Sequence, residues 1–194
     1  MKIVIASGKG GTGKTTVATN LAFSLGNSRR VQLLDCDVEE PNCHLFFDIE
    51  VLDTRSVKTK VPNVRMELCT LCSRCTETCV FNAIAVAGEE VLVFPTLCHS
   101  CGGCSYFCPT GAITEKDREI GVVKKGKANN LEIVYGRLNI GEAIAIPVIH
   151  AVKKQMRDDR IVILDAPPGT SCSVVTSVVN ADFCLLITEP TPFG

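Results

Sequence analysis

The chain has 194 residues, 46% of them hydrophobic, and its 20 basic and 21 acidic side chains leave a formal net charge of -1. That length supports one core of ordinary size with at most a small satellite domain, and the balanced charge supplies no field that would draw nucleic acid or an anionic membrane. No run approaches the roughly 18 apolar residues of a membrane span, and the N-terminus enters a strand without the regions of a signal peptide, so a cytoplasmic protein is expected.

In chain order, the β-branched run Lys2 to Ala6 (KIVIA) reads as a strand, Thr15 to Leu25 has helical apolar spacing, and Val31 to Leu34 (VQLL) reads as a second strand. Together they form a βαβ unit. The turn inside it, GKGGTGKT from Gly8 to Thr15, matches G-x-x-x-x-G-K-[ST] and lies after a strand and at the start of a helix, where that motif must lie. Such a loop cradles phosphates. Gly8, Lys9, Gly10, Gly11, Thr12, Gly13, Lys14, Thr15 and Thr16 are therefore the candidate nucleotide-binding residues. Glycines let backbone N-H groups converge on phosphate oxygens, the helix N-terminus adds its dipole, Lys14 reaches the terminal phosphates, and Thr15 can hold Mg2+. Lys9 is a second lysine that this motif does not require.

The second strand leads into Asp35 and Asp37 of LLDCDVEEPN, and for Asp35 both a turn-capping role and a functional one stay open. A polar stretch without clear patterning follows, Asp53 to Lys60, and then a cysteine-rich block from about Val61 to Glu115. Twelve cysteines are many for a reducing compartment, so spacing must separate ligation from packing. Cys69, Cys72, Cys75 and Cys79 read C-x2-C-x2-C-x3-C, and Cys98, Cys101, Cys104 and Cys108 repeat it, which is the bacterial two-cluster ferredoxin signature. In such ferredoxins the final cysteine of each motif ligates the other cluster. The expected sets are thus Cys69, Cys72, Cys75 and Cys108 for one [4Fe-4S] cluster, and Cys98, Cys101, Cys104 and Cys79 for the second. Structural zinc on paired C-x2-C units is the competing reading, and it leaves the repeated rhythm unexplained. Val80 stands where proline commonly follows the fourth cysteine.

After the block, IGVVKKGKANNLEIVYGRLNIG reads as a hairpin with Gly126 and Asn129-Asn130 as turn residues. Pro147 to Met156 suits a helix with proline in its first turn. Arg160 to Leu164 (RIVIL), ending at Asp165, and Phe183 to Thr188 (FCLLIT) are apolar runs suited to strands buried on both faces of a parallel sheet. The fold expected is α/β: a P-loop NTPase with a mostly parallel sheet flanked by helices, residues 1-58 and 117-194, interrupted by a small α+β ferredoxin-like insert, residues 59-116. Cys36, Cys43, Cys172 and Cys184 lack partners at ligand spacing and read as packing residues; for Cys43 and Cys172, which lie beside the two acidic segments, a redox or transient cluster role is the alternative. His44, His99 and His150 are isolated; His99 reads as a surface residue, with tuning of a cluster potential as the alternative.

Lys9 carries a resemblance. The loop K-G-G-T-G-K-T resembles that of the deviant P-loop ATPases of the MinD, ParA and nitrogenase iron protein class, and the whole chain looks like a member of that superfamily carrying an inserted two-cluster ferredoxin domain. The resemblance implies ATP and Mg2+ as ligands and an ATP-dependent homodimer, or heterodimer with a related ATPase, in which Lys9 touches the phosphates bound by the other subunit. It places a first switch at Asp35 and Asp37, with Asp37 near magnesium and the attacking water. IVILDAPPGT supplies a Walker B aspartate, Asp165, and a second switch from Ala166 to Thr170 similar to the Mrp branch. Lys9, Lys14, Asp37 and Asp165 are then the catalytic set. Family members continue past TEPTPFG with elements that recognise adenine, so a C-terminally truncated chain is expected. Three functions fit: an ATPase coupling nucleotide state to electron transfer with a redox partner protein, an iron-sulfur cluster carrier or assembly ATPase, and an ATP-dependent recruitment switch.

Overall fold

The computed structural model describes residues 1-191. The chain divides into two compact units: residues 1-57, 121-139 and 145 onward form the first, and residues 58-120 with 140-144 form the second.

The first unit is built on β1 (Lys2–Ala6), α1 (Lys14–Gly26), β2 (Val31–Asp35), the start of β3 (Glu50–Val64) and the end of β6 (Ile113–Ala128). It continues with β7 (Leu131–Leu138), α4 (Ile146–Lys153), β8 (Ile161–Asp165), α5 (Cys172–Val178) and β9 (Phe183–Leu186). The sheet order is β3-β6-β7-β2-β8-β1-β9. Neighbours from β7 to β9 pair parallel, and β6 pairs antiparallel with β7. β1, β2 and β8 are near-continuous β-branched and leucine runs because helices cover both faces of these central strands. Ile5, Leu33, Ile133 and Ile163 fill the core with Ala18 and Ala22 of α1, whose small side chains let the helix lie close to the strands.

Parallel register aligns the C-terminal ends of the central strands. Ile5 pairs with Asp165, and Asp35 pairs with Asp165, so the loop after β1 and the acids ending β2 and β8 emerge at one edge of the sheet. On one side Lys153 of α4 donates to the carbonyls of Thr176 and Val179, which ties it to the end of α5.

Several expectations need correction. The polar stretch Asp53 to Lys60 lies inside the long strand β3, which stands at the end of the strand order and is largely exposed, so no hydrophobic alternation marks it. Gly126 belongs to β6 opposite Ile133, and the two-residue turn is Asn129-Asn130 alone, with Asn129 at φ 52°. β9 is exposed along its whole length at the other edge, so its apolar run is not buried and Cys184 is not a packing residue. Cys36 is fully buried, immediately after β2.

The second unit holds the cysteine block: α2 (Arg74–Thr78), the hairpin β4 (Ile84–Ala87) and β5 (Glu90–Val93), and α3 (Gly103–Tyr106). Its two halves repeat backbone conformation as well as sequence. Leu71 and Ser100, Ser73 and Gly102, and Asn82 and Gly111 occupy matching positions relative to the cysteines, and all six have positive φ. The run after the first copy forms a separate hairpin, whereas the run after the second feeds the 16-residue strand β6.

Gly126 has a strict reason to be glycine. A Cβ there would meet the side chain of Ile49 and come within 2.8 Å of the Glu50 carbonyl oxygen, which belongs to backbone that cannot swing aside. Gly126→Ala should lower unfolding stability by about 1-3 kcal/mol, the usual cost of overpacking, as a shift in the urea midpoint with little change in slope.

Candidate functional site

The loop Gly8 to Thr15 joins β1 to α1, and its shape depends on glycines at Gly11 (φ 81°) and Gly13 (φ 83°). Gly13 is the N-cap of α1 and no side chain caps the helix, so its first amides are left for a ligand. A Cβ at Gly8, Gly10, Gly11 or Gly13 would meet no atom within 4 Å, so the loop borders open space. Thr12 Oγ1 is buried without a hydrogen-bond partner. Unpaired helix-start amides, open space and an orphaned hydroxyl fit a phosphate group.

Beside the loop, Asp165 ends β8 with its carboxylate fully buried. Lys14 Nζ lies 2.7 Å from Asp165 Oδ1, and Thr15 Oγ1 donates to Asp165 Oδ2 at 2.6 Å. The structure thus brings Lys14, Thr15 and Asp165 into direct contact. Their oxygen donors suit a hard cation such as Mg2+. Asp37 is half-buried just beyond β2; burial pushes its carboxyl up to about 6, with Lys14 pulling it down and Asp165 pushing it up. Thr16 is exposed on the first turn of α1.

Two candidates sit differently from the rest. Lys9 points to the chain's own Glu189, 2.8 Å away, with Thr191 Oγ1 at 3.4 Å. Asp35 accepts the backbone N-H groups of Asp37, Asn42 and Cys43, so its carboxylate organises the turn after β2. Burial, and then Asp165 beside it, push the Asp35 carboxyl up to about 7.

Cys43 was not legible as part of this site. It is fully buried, and its Sγ donates to Asp165 Oδ2 at 3.4 Å. Burial pushes its thiol well above the usual range. Among the described residues, Asp35, Cys43 and Asp165 are the one group of three potential metal-ligating side chains whose ligand atoms all lie within 4.8 Å of one another. Glu189 was also missed, since only the fold returns it to the loop. Cys172 is exposed at the start of α5.

In the second unit the eight motif cysteines line two cavities. Cys69, Cys72, Cys75 and Cys108 line one, and Cys79, Cys98, Cys101 and Cys104 line the other, each with about 20 Å³ of free volume. Each cavity takes three cysteines from one copy and the last from the other. Backbone N-H groups point at sulfur in both copies: Leu71 to Cys69 at 3.5 Å, Ser100 to Cys98 at 3.4 Å and Ala83 to Cys79 at 3.2 Å. Burial pushes the Cys104 thiol up to about 11 and raises that of Cys75. For Cys108, burial is outweighed by hydrogen bonds from the Thr110 side chain and nearby amides, which lower it. His99 is exposed and stacks on Phe81 with ring centroids 3.5 Å apart. No helix among the described residues is long and apolar enough to cross a membrane.

A family model described as the CobQ/CobB/MinD/ParA nucleotide binding domain matches residues 3-174. The uncharacterized protein MJ0579 of Methanocaldococcus jannaschii is 34% identical over 197 residues, spanning 100% of this chain and 71% of that protein. An iron-sulfur cluster carrier protein of the same organism is 48% identical over 50 residues, 25% of this chain and 17% of its own length. Among solved structures, the septum site-determining protein MinD of Pyrococcus horikoshii, complexed with Mg-ADP, superposes with a TM-score of 0.51 at 18% identity. That match covers 98% of this chain and 58% of the MinD chain, so this chain spans less than two thirds of that structure and the likeness is one of fold.

The raised carboxyls make ligand-free stability depend on pH. Between the ordinary aspartate value of 3.8 and about 7, folded Asp35 binds more protons than unfolded Asp35, so unfolding free energy falls as pH rises through that window. Thermal melts in chelator without nucleotide should show the melting temperature dropping across this range. Asp35→Asn should flatten that slope.

Proposed function

The chain belongs to the CobQ/CobB/MinD/ParA nucleotide-binding family, and on that premise we propose that it binds and hydrolyses ATP and couples nucleotide state to electron transfer through two [4Fe-4S] clusters. The observation that carries the nucleotide half is the contact of Lys14 and Thr15 with the buried Asp165 at the mouth of an open glycine loop.

Each side chain then has a task. The loop amides and the start of α1 hold the phosphates, and Lys14 leaves Asp165 to bind the terminal ones. The Thr15 hydroxyl and the Asp165 carboxylate would hold Mg2+, which when bound would neutralise phosphate charge. Asp37 orients the attacking water. Lys9 exchanges Glu189 for the phosphates of a second subunit, supplying positive charge as an arginine finger does, so that hydrolysis requires an ATP-dependent homodimer or a heterodimer with a related ATPase.

The crossed grouping of the eight cysteines supports the cluster half. Tetrahedral zinc at about 2.3 Å from each sulfur would need sulfurs about 3.8 Å apart. Among the described residues no three cysteine sulfurs lie within 4.8 Å of one another, so a larger group fits better. Cys69, Cys72, Cys75 and Cys108 would hold one cluster, and Cys98, Cys101, Cys104 and Cys79 the other, within a ferredoxin-like insert over residues 59-116. Bound clusters supply one-electron transfer, and the amides of Leu71, Ser100 and Ala83 hold and tune the sulfurs. A redox partner protein completes the reaction. The short match to a cluster carrier favours a second reading, delivery of clusters to an acceptor protein.

Protein purified without oxygen should contain about eight iron atoms per chain with matching sulfide; stoichiometric zinc in their place would refute the cluster assignment. A midpoint potential that shifts when ATP is added supports coupling, whereas iron passing to an apo-protein without net redox change supports the carrier reading.

The lysines are separated by mixing. Lys14→Ala should lose most ATP turnover, and Lys9→Ala should bind ATP near normally yet fail to hydrolyse it. Combined in one dimer, the two variants leave one site with its own Lys14 and the partner's Lys9, so turnover should return to about half of the unaltered level, one of two sites being intact. A Lys9 that acts on its own subunit gives no recovery.

A further inference from the structure

Asp165 Oδ2 accepts from two donors, Thr15 Oγ1 at 2.6 Å and Cys43 Sγ at 3.4 Å, while Lys14 holds Oδ1. In the proposed reading Lys14 and Thr15 both change partners: one goes to phosphate, and the other presents its oxygen to magnesium. Cys43 has no such task. Its thiol reaches the carboxylate from the turn after β2, a different segment from the phosphate loop. That turn is anchored because the Cys43 backbone N-H donates to Asp35 Oδ2 at 2.9 Å and the Asn42 N-H donates to the same oxygen at 3.0 Å. Cys43 therefore spans the two acids, with its amide on Asp35 and its thiol on Asp165. The parallel register places those acids side by side.

We propose that Cys43 is a positioning residue whose S-H fixes the orientation of the Asp165 carboxylate, so that its oxygens face the magnesium position when Lys14 and Thr15 turn to nucleotide. The proposal rests on the nucleotide and magnesium reading above. A thiol is a weak donor, but hydrogen bonds to an ionised acceptor are roughly twice as strong as neutral ones, and this one is buried where water cannot replace it. Without the donor, the carboxylate can rotate toward the remaining cation or a neighbouring amide. The cost should fall on the ion and on hydrolysis more than on nucleotide affinity measured at saturating magnesium.

A donor role and a packing role predict opposite orders among substitutions. Cys43→Ser keeps a hydroxyl donor but loses the volume of sulfur, whereas Cys43→Ala keeps a small apolar shape and loses the donor. Two titrations with magnesium on full-length protein with its clusters read the difference: equilibrium binding of a fluorescent ADP analogue, and ATP turnover. Cys43→Ala should raise the magnesium concentration for half-maximal effect roughly three- to tenfold, the range expected for loss of a weak hydrogen bond to a charged group. Cys43→Ser should stay within about twofold of the unaltered chain, the limit set by an ordinary donor retained in place. Equal shifts in the two variants, or no shift in Cys43→Ala, would overturn the proposal. Should either variant fail to fold, Cys43→Thr and Cys43→Val form an isosteric pair differing only in the donor, with the same expected order. Nucleotide binding by the unaltered chain that ignores magnesium would overturn the underlying reading and this proposal together. Magnesium-dependent binding that the Ala and Ser variants share would overturn the role of Cys43 alone.

Discussion

The ligand-free site is organised around a single buried carboxylate. Asp165 is fully buried, and its charge is matched by Lys14, Thr15 and Cys43, drawn from two stretches of chain. A buried charge without such partners costs several kcal/mol, so the sheet must hold the loop, the first turn of α1 and the turn after β2 in one place. Parallel pairing of β1 and β2 with β8 does this, because it ends the strands at the same level. The α-helix that starts with an uncapped Gly13, the small alanines that let it lie close to the sheet, and the acids at strand ends all serve this one edge.

How much of this was legible depends on the range over which each feature is encoded. The glycine loop is local, since the residues that shape it are adjacent and their torsions follow from lacking a Cβ, so Lys14 and Thr15 could be read directly. Asp165 could be read because a polar residue ending a buried apolar strand is conspicuous. Cys43 and Glu189 could not, as their contacts close loops of 122 and 180 residues respectively, and neither lies in a pattern that anticipates its partner. The edges of the sheet were misread for a related reason. β3 and β9 have fewer neighbours than central strands, so side-chain pattern reports their environment poorly: Asp53 to Lys60 of β3 reads as a polar stretch without clear patterning and β9 as core.

The cysteine block was legible in its repeat because the spacing is a local pattern of the sequence, yet its backbone holds more than the spacing states. Matching left-handed residues turn the chain at the same points in both copies, and only some of them are glycine. Leu71 and Ser100 take positive φ at a cost that a side chain ordinarily avoids, and in each case the amide so placed points at a cysteine sulfur. Positive φ repeated at equivalent positions, on amides aimed at sulfur, is a backbone feature that composition alone did not announce.

The register that sets Asp35 beside Asp165 has a consequence for the life of the protein in a cell. Two carboxylates held together in a dry interior repel each other, and in the proposed nucleotide reading a bound cation would offset that repulsion. On that reading the filled chain would be stabilised by mass action, and the empty chain would be the form that opens more often to proteases. Steady-state abundance of such a protein would follow the supply of nucleotide, rising when energy is plentiful and falling when it runs short, with no dedicated regulator needed.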